Sequence, residues 1–101
     1  MYLVVFRSRK RKDIDAEAYA ADSAQMAKLA RAQPGFISFK SFEAEDGETV
    51  AISEWSSEAA MHAWASHPEH DVIRKRGWDN YYEEYTLYSC NGPRVHHFDR
   101  S

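Results

Sequence analysis

The residues most able to do chemistry gather between Trp64 and Arg74, where a tryptophan is followed by His67-Pro68-Glu69-His70 and then by an arginine. Imidazole is the side chain that changes charge near neutral pH, so a histidine beside an aromatic wall is a candidate general base. His67 and His70 stand three apart, which puts both rings on one helical face, and His62 precedes His67 by five. A metal would need a third and preferably a fourth ligand, and Pro68 interrupts a helix at this point, so no metal site is expected. His67 reads as a helix cap or an exposed residue. Asp22 is a second polar candidate. It breaks the apolar seam of Tyr19, Met26, Leu29 and Ala30, and a carboxylate turned into a pocket would have its pKa raised and act as a base. Arg74 and Arg7 are available to hold an anion. Tyr19, Phe36, Phe39, Trp55, Met61 and Trp64 supply walls for a flat apolar ligand, although large aromatics at such spacings serve packing at least as often. The single cysteine, Cys90, has no evident base beside it and reads as a small apolar group. His96 and His97 near the end carry no catalytic reading.

These groups need elements to position them. Residues 2–6, Tyr-Leu-Val-Val-Phe, form a strand apolar on both alternating faces, and Arg7 to Lys12 is expected to leave the sheet as a solvated basic loop. Asp13 or Asp15 caps an alanine-rich helix running to about residue 32, which Pro34-Gly35 ends. Phe36 to Phe42 alternates as a strand, with Phe36, Ser38, Lys40 and Phe42 on one side. Asp46-Gly47 turns the chain into a partner strand, Thr49 to Trp55. Ser56 or Ser57 caps a helix with Ala60, Met61 and Trp64 inward. Pro68 opens a short further helix that Gly77 ends. A last strand is expected over about Tyr81 to Cys90, with Tyr81, Tyr85 and Leu87 on one side and Tyr82, Thr86 and Tyr88 on the other.

The order strand, helix, strand, strand, helix, strand predicts an α+β, ferredoxin-like βαββαβ domain, an antiparallel four-stranded sheet with helices on one face. The other face, too apolar for water, predicts a homodimer. The domain is expected over residues 1–90, with residues 91–101 as a tail. At 101 residues and 44% hydrophobic the chain makes one core. Thirteen basic against sixteen acidic residues, a net charge of −3, exclude the basic stripe of a nucleic-acid binder. One cysteine excludes an internal disulfide and a cysteine zinc site. The opening strand does not read as a signal peptide and no run is long enough to span a bilayer, so a cytoplasmic protein without a membrane partner is expected.

In this order the elements resemble the antibiotic biosynthesis monooxygenase family. The resemblance is carried by Pro34-Gly35-Phe36, Ser53-Glu54-Trp55, Glu58 to Trp64, His67-Pro68-Glu69-His70, Arg76-Gly77 and Tyr81-Tyr82-Glu83-Glu84-Tyr85, across residues 2–90. It implies a dimer whose sheets pack together into a barrel, with a pocket between the sheet and the helices of each subunit. It also implies oxidation of a flat aromatic metabolite by molecular oxygen with no cofactor. Trp64, His70, Arg74 and Asp22 would be the catalytic group, and Tyr19, Phe36, Phe39, Trp55 and Met61 the substrate pocket. A haem-degrading branch is the alternative. There Trp64 matches the helix tryptophan, but Arg74 stands where the proximal histidine belongs, so haem would need altered ligation, through His70. A guanidinium stays protonated and has no lone pair for iron. A dimer that binds a small ligand without catalysis is the third reading, because a fold does not fix a function.

Overall fold

The computed structural model describes residues 1–100. The described elements are β1 (Tyr2–Lys10), α1 (Ala16–Arg31), β2 (Phe36–Glu43), β3 (Thr49–Trp55), α2 (Glu58–Ala65), α3 (Pro68–Arg76), a π-helical turn (Gly77–Tyr81) and β4 (Tyr82–Asn91). All strand pairs are antiparallel, in the order β2-β3-β1-β4. This is the expected ferredoxin-like arrangement. Residues 92–100 form neither helix nor strand. No helix among the described residues is long and apolar enough to cross a membrane.

Local chemistry explains the boundaries. The Asp15 carboxylate accepts from the Ala18 N–H at 3.0 Å and caps α1, while Lys28 and Arg31 complement the negative end of that helix. Ser57 caps α2 in the same way, accepting from the Ala60 N–H at 3.1 Å. Gly35 joins α1 to β2 with φ at +83°, and a Cβ there would stand 2.5 Å from that of Ala60 and 2.7 Å from Ser56 Oγ. Only glycine fits both the backbone angle and the space.

Three expectations need correction. The basic stretch does not leave the sheet, because β1 runs on to Lys10. Its cations are held by neighbouring segments: Arg7 by Glu48, Arg9 by Asp46 and Glu84, and Lys10 by Thr49 Oγ1 at 2.8 Å. Secondly, the register of β2 against β3 shifts between Phe36 and Ser38. Phe36 and Phe39 therefore share a face, and Ser38, Lys40 and Phe42 take the other. Thirdly, Tyr81 closes the π-helical turn, and β4 begins at Tyr82. A second register shift at Arg9 and Lys10 pairs Tyr82 with Lys10 and Tyr85 with Ser8, so Tyr82, Tyr85 and Leu87 share one face. A plain two-residue alternation cannot see either irregularity.

The core lies under the helices at one end of the sheet. Tyr2, Ala30, Trp55 and Trp64 are buried together, with Val4, Met26, Leu29, Phe36, Ala60 and Met61 packed around them. Trp55 is 1% exposed. It stacks on Trp64 at 6.4 Å and meets Phe36 edge-on at 5.6 Å.

Candidate functional site

Trp64 joins the core to the chemistry. One side of its ring meets Trp55, and on the other it receives His70 edge-on, with centroids 4.9 Å apart. The helix break at Ser66-His67-Pro68 makes this possible, because it folds α3 back so that His70, in its first turn, returns to Trp64. Among the described residues, His70 Nδ1 is the one buried side-chain nitrogen or oxygen atom without a hydrogen-bond partner. An unpartnered buried polar atom is costly, so a fold that keeps one calls for a reason.

Burial pushes the His70 imidazole below the usual histidine value, and the Arg74 cation pushes it the same way. Asp71 and the Ala65 carbonyl, which accepts from the ring, pull it back up. The neutral ring prevails at neutral pH. His70, Arg74 and Trp78 follow one another at four-residue steps down α3 and into the turn. The Arg74 guanidinium lies 5.1 Å from the Trp78 ring and is salt-bridged to Asp71 at 2.8 Å. Trp78 Nε1 donates to Tyr85 Oη at 2.6 Å. The turn is thereby tied to the helix-facing side of β4, where Tyr85 and Leu87 remain exposed beside Phe6.

Asp22 belongs to a different cluster. Its carboxylate accepts from Tyr81 Oη at 2.6 Å and from Arg76 at 2.9 Å. The Tyr81 phenol is pushed up to about 12, chiefly by that hydrogen bond, with burial and the charge of Asp22 adding to it. Tyr19 is at this end too, edge-on to Tyr81 at 5.3 Å and beneath the Lys10 ammonium at 4.8 Å. The Tyr82 phenol beside them is also raised, by burial first and then by Tyr19.

The structure therefore brings together Trp64, His70, Trp55, Phe36 and Met61, and places Arg74 one helical turn beyond. It sets Asp22 and Tyr19 apart from that group, and Phe39 stands on the helix-facing side of β2. Asp22 lies at the edge of the cleft between α1 and α3, but a guanidinium and a phenol each take one of its oxygens. The space between Trp64 and the sheet is packed rather than hollow. Two shallow clefts open away from Trp64. One of about 310 Å³ is lined by Arg11, Asp13 and Tyr81, and one of about 320 Å³ between α1 and α3 by Asp22, Arg76, Gln25, Glu69 and Val72. No group of three metal-ligating side chains occurs among the described residues. Tyr81, Arg76 and Trp78 were not legible as site neighbours in the sequence. Reading residue 81 as strand hid the turn that aims Tyr81 and Trp78, and Arg76 meets Asp22 across 54 residues.

Comparison with known proteins follows the same outline. The family model for antibiotic biosynthesis monooxygenase matches residues 1–76. The chain belongs to this family. A Bacillus subtilis (strain 168) protein, YqjZ, is 33% identical over 86 residues, which cover 85% of this chain and 74% of that protein. Among solved structures, Rv0793 from Mycobacterium tuberculosis superposes with a TM-score of 0.80 at 21% identity, covering 93% of this chain and 96% of its own. SnoaB, a cofactor-independent oxygenase from Streptomyces nogalater, superposes with a TM-score of 0.78 at 16% identity, covering 93% and 94%. At such identities the likeness to these two structures is one of fold. Within the monooxygenase family match, which ends at Arg76, lie Trp64, His70 and Arg74.

Proposed function

We propose that the protein is a cofactor-independent monooxygenase that oxidises a small aromatic metabolite of polyketide or quinone type with molecular oxygen, acting as a cytoplasmic homodimer. The observation that carries this reading is the unpartnered, buried Nδ1 of His70 against Trp64. With the ring proton held toward the Ala65 carbonyl, Nδ1 presents a lone pair. That lone pair takes the proton of a phenolic or enolic substrate, and oxygen adds to the electron-rich carbon as a hydroperoxide. O–O cleavage with loss of water then leaves the carbonyl, the substrate supplying all the electrons. Arg74, one turn on, stabilises the anion electrostatically. Trp64 is the wall against which the substrate plane lies. Because Nδ1 is shielded from water, the substrate reaches it as α3 lifts from α2, and closure afterwards keeps water out.

Oxygen uptake with an anthrone-type phenol tests the reading. His70→Gln keeps the shape of a polar side chain but lacks a base, so uptake falls by about 100-fold or more. The depressed pKa of His70 keeps that base neutral as pH falls through the ordinary histidine range, so protonation of His70 itself does not limit activity there. Equal rates for His70→Gln and the parent protein would overturn the assignment. A visible haem spectrum that forms on mixing, with no phenol oxidation, would replace it with the haem reading.

A further inference from the structure

The first turn of α3 is capped in an uncommon way. The opening N–H groups of a helix lack helical acceptors and are usually satisfied by an oxygen of Ser, Thr, Asp or Asn. Here the Glu69 N–H donates to His67 Nδ1 at 3.2 Å. Pro68, which has no N–H to satisfy, occupies the first helical position. The His67 ring also rests against Trp64, with centroids 5.8 Å apart, and His70 meets the same tryptophan at 4.9 Å. Two imidazoles thus hold α3 against α2, and one of them is also the cap.

An oxygen cap of Ser or Asn is indifferent to protons near neutral pH. An imidazole is not. Once protonated, both its nitrogens are donors, so Nδ1 can no longer accept from Glu69. The new cation also stands at the positive end of the α3 dipole. The neighbouring carboxylates are engaged elsewhere. Glu69 accepts from Gln25 of α1 at 3.2 Å, and Asp71 is paired with Arg74 at 2.8 Å. From α2 the ring meets the uncharged Trp64, and one turn along α3 lies His70, whose own burial disfavours a proton on that ring. The hydrogen bond itself sets the direction for the cap: Nδ1 accepts from the Glu69 N–H only while it carries no proton.

We infer that His67 is an acid-sensitive catch: neutral, it caps α3 and holds it on Trp64; protonated, it releases the first turn of α3 and carries His70 away from Trp64. The consequence for catalysis rests on the function proposed above, whereas the catch itself does not. It is therefore tested without substrate. In the full chain carrying Trp78→Phe, which leaves Trp55 and Trp64 as emitters, tryptophan fluorescence and helical circular dichroism are followed from about pH 8 to about pH 5. The expected result is a reversible red shift with partial loss of helical signal, the sheet signal being retained. His67→Asn supplies an acceptor that does not titrate, and abolishes the transition. His67→Asp, a carboxylate cap, is the second variant and does the same. A parent protein with no transition over this range would overturn the inference. So would His67→Asn and His67→Asp both showing the parent transition. Loss of oxygen uptake in His70→Gln with an intact fluorescence transition would separate the base from the catch, and the reverse result would separate them equally.

Discussion

At Asp22 a carboxylate, a phenol and a guanidinium meet across three segments, and the side chain of the aspartate is only 15% exposed. Arg76 is half exposed and can turn to water, but Tyr81 is 5% exposed, so Asp22→Ala removes the acceptor of a buried phenol and costs about 2 kcal/mol. Asp22→Asn keeps an acceptor for the phenol but removes the charge, and costs about 1 kcal/mol. The phenol gives a more specific readout. Tyr81 holds its proton up to about 12, mainly because of Asp22, so in Asp22→Asn its titration moves back toward an ordinary phenol, as phenolate absorbance will show. The sign for stability follows from linkage. A raised phenol contributes fully below the ordinary tyrosine value of about 10, and the contribution is lost as pH climbs toward 12. An alkaline unfolding limb that is steeper in the parent than in Asp22→Asn is therefore expected. In the sequence Asp22 looked like a base in waiting because its partners lie 54 and 59 residues away, beyond any helical or strand period.

Helices and strands were legible wherever a short-range signal set them. Asp15, Ser57 and Pro68 each open the helix that their chemistry favours, and Asp46-Gly47 turns β2 into β3. What escaped was set by tertiary pairing. The two register shifts, the extension of β1 through Arg7 to Lys10 and the π-helical turn all depend on cross-strand partners that periodicity does not carry. For the same reason neither the approach of His70 to Trp64 across the Pro68 break nor the unpartnered Nδ1 could be read from spacing. Glycines sharpen the distinction. Gly35 and Gly47 both sit at positive φ, but Gly35 is crowded by Ala60 and Ser56 while Gly47 has nothing near it. Gly47→Ala bears the backbone penalty alone, about 1 kcal/mol. Gly35→Ala adds an overlap that must push α2 off the sheet, for a total of about 3 kcal/mol. Urea unfolding of the two variants measures the difference, and equal midpoints would mean that the α1–β2 junction yields more easily than its contacts imply.

Across the molecule the sheet has two unlike faces. Helices cover one. The other carries the row Lys40, Ile52, Val5 and Tyr88, neighbours across all four strands, flanked by Phe42, Val50 and Leu3. Phe42 is 49% and Tyr88 52% exposed, so the apolar surface is open across the full width of the sheet. Its margins are polar: Arg7 with Glu48 and Arg9 with Asp46 at one end, and at the other Ser38 with Glu54 at 2.5 Å. An apolar centre inside a charged rim is the anatomy of an interface core, and a face that buries itself on its own copy closes at two subunits. This is the physical ground for the homodimer proposed above. Ile52→Asp places a carboxylate at the middle of that face. In a lone subunit the change sits at a half-covered surface and leaves the fold intact. In a dimer it buries an unpaired charge, which costs several kcal/mol and separates the subunits. Sedimentation velocity at micromolar concentration decides the matter. The expected outcome is a dimer for the parent and a folded monomer for Ile52→Asp, with circular dichroism unchanged. A parent that sediments as a monomer would leave the open face without its proposed partner. A variant that stays dimeric would move the interface to another surface.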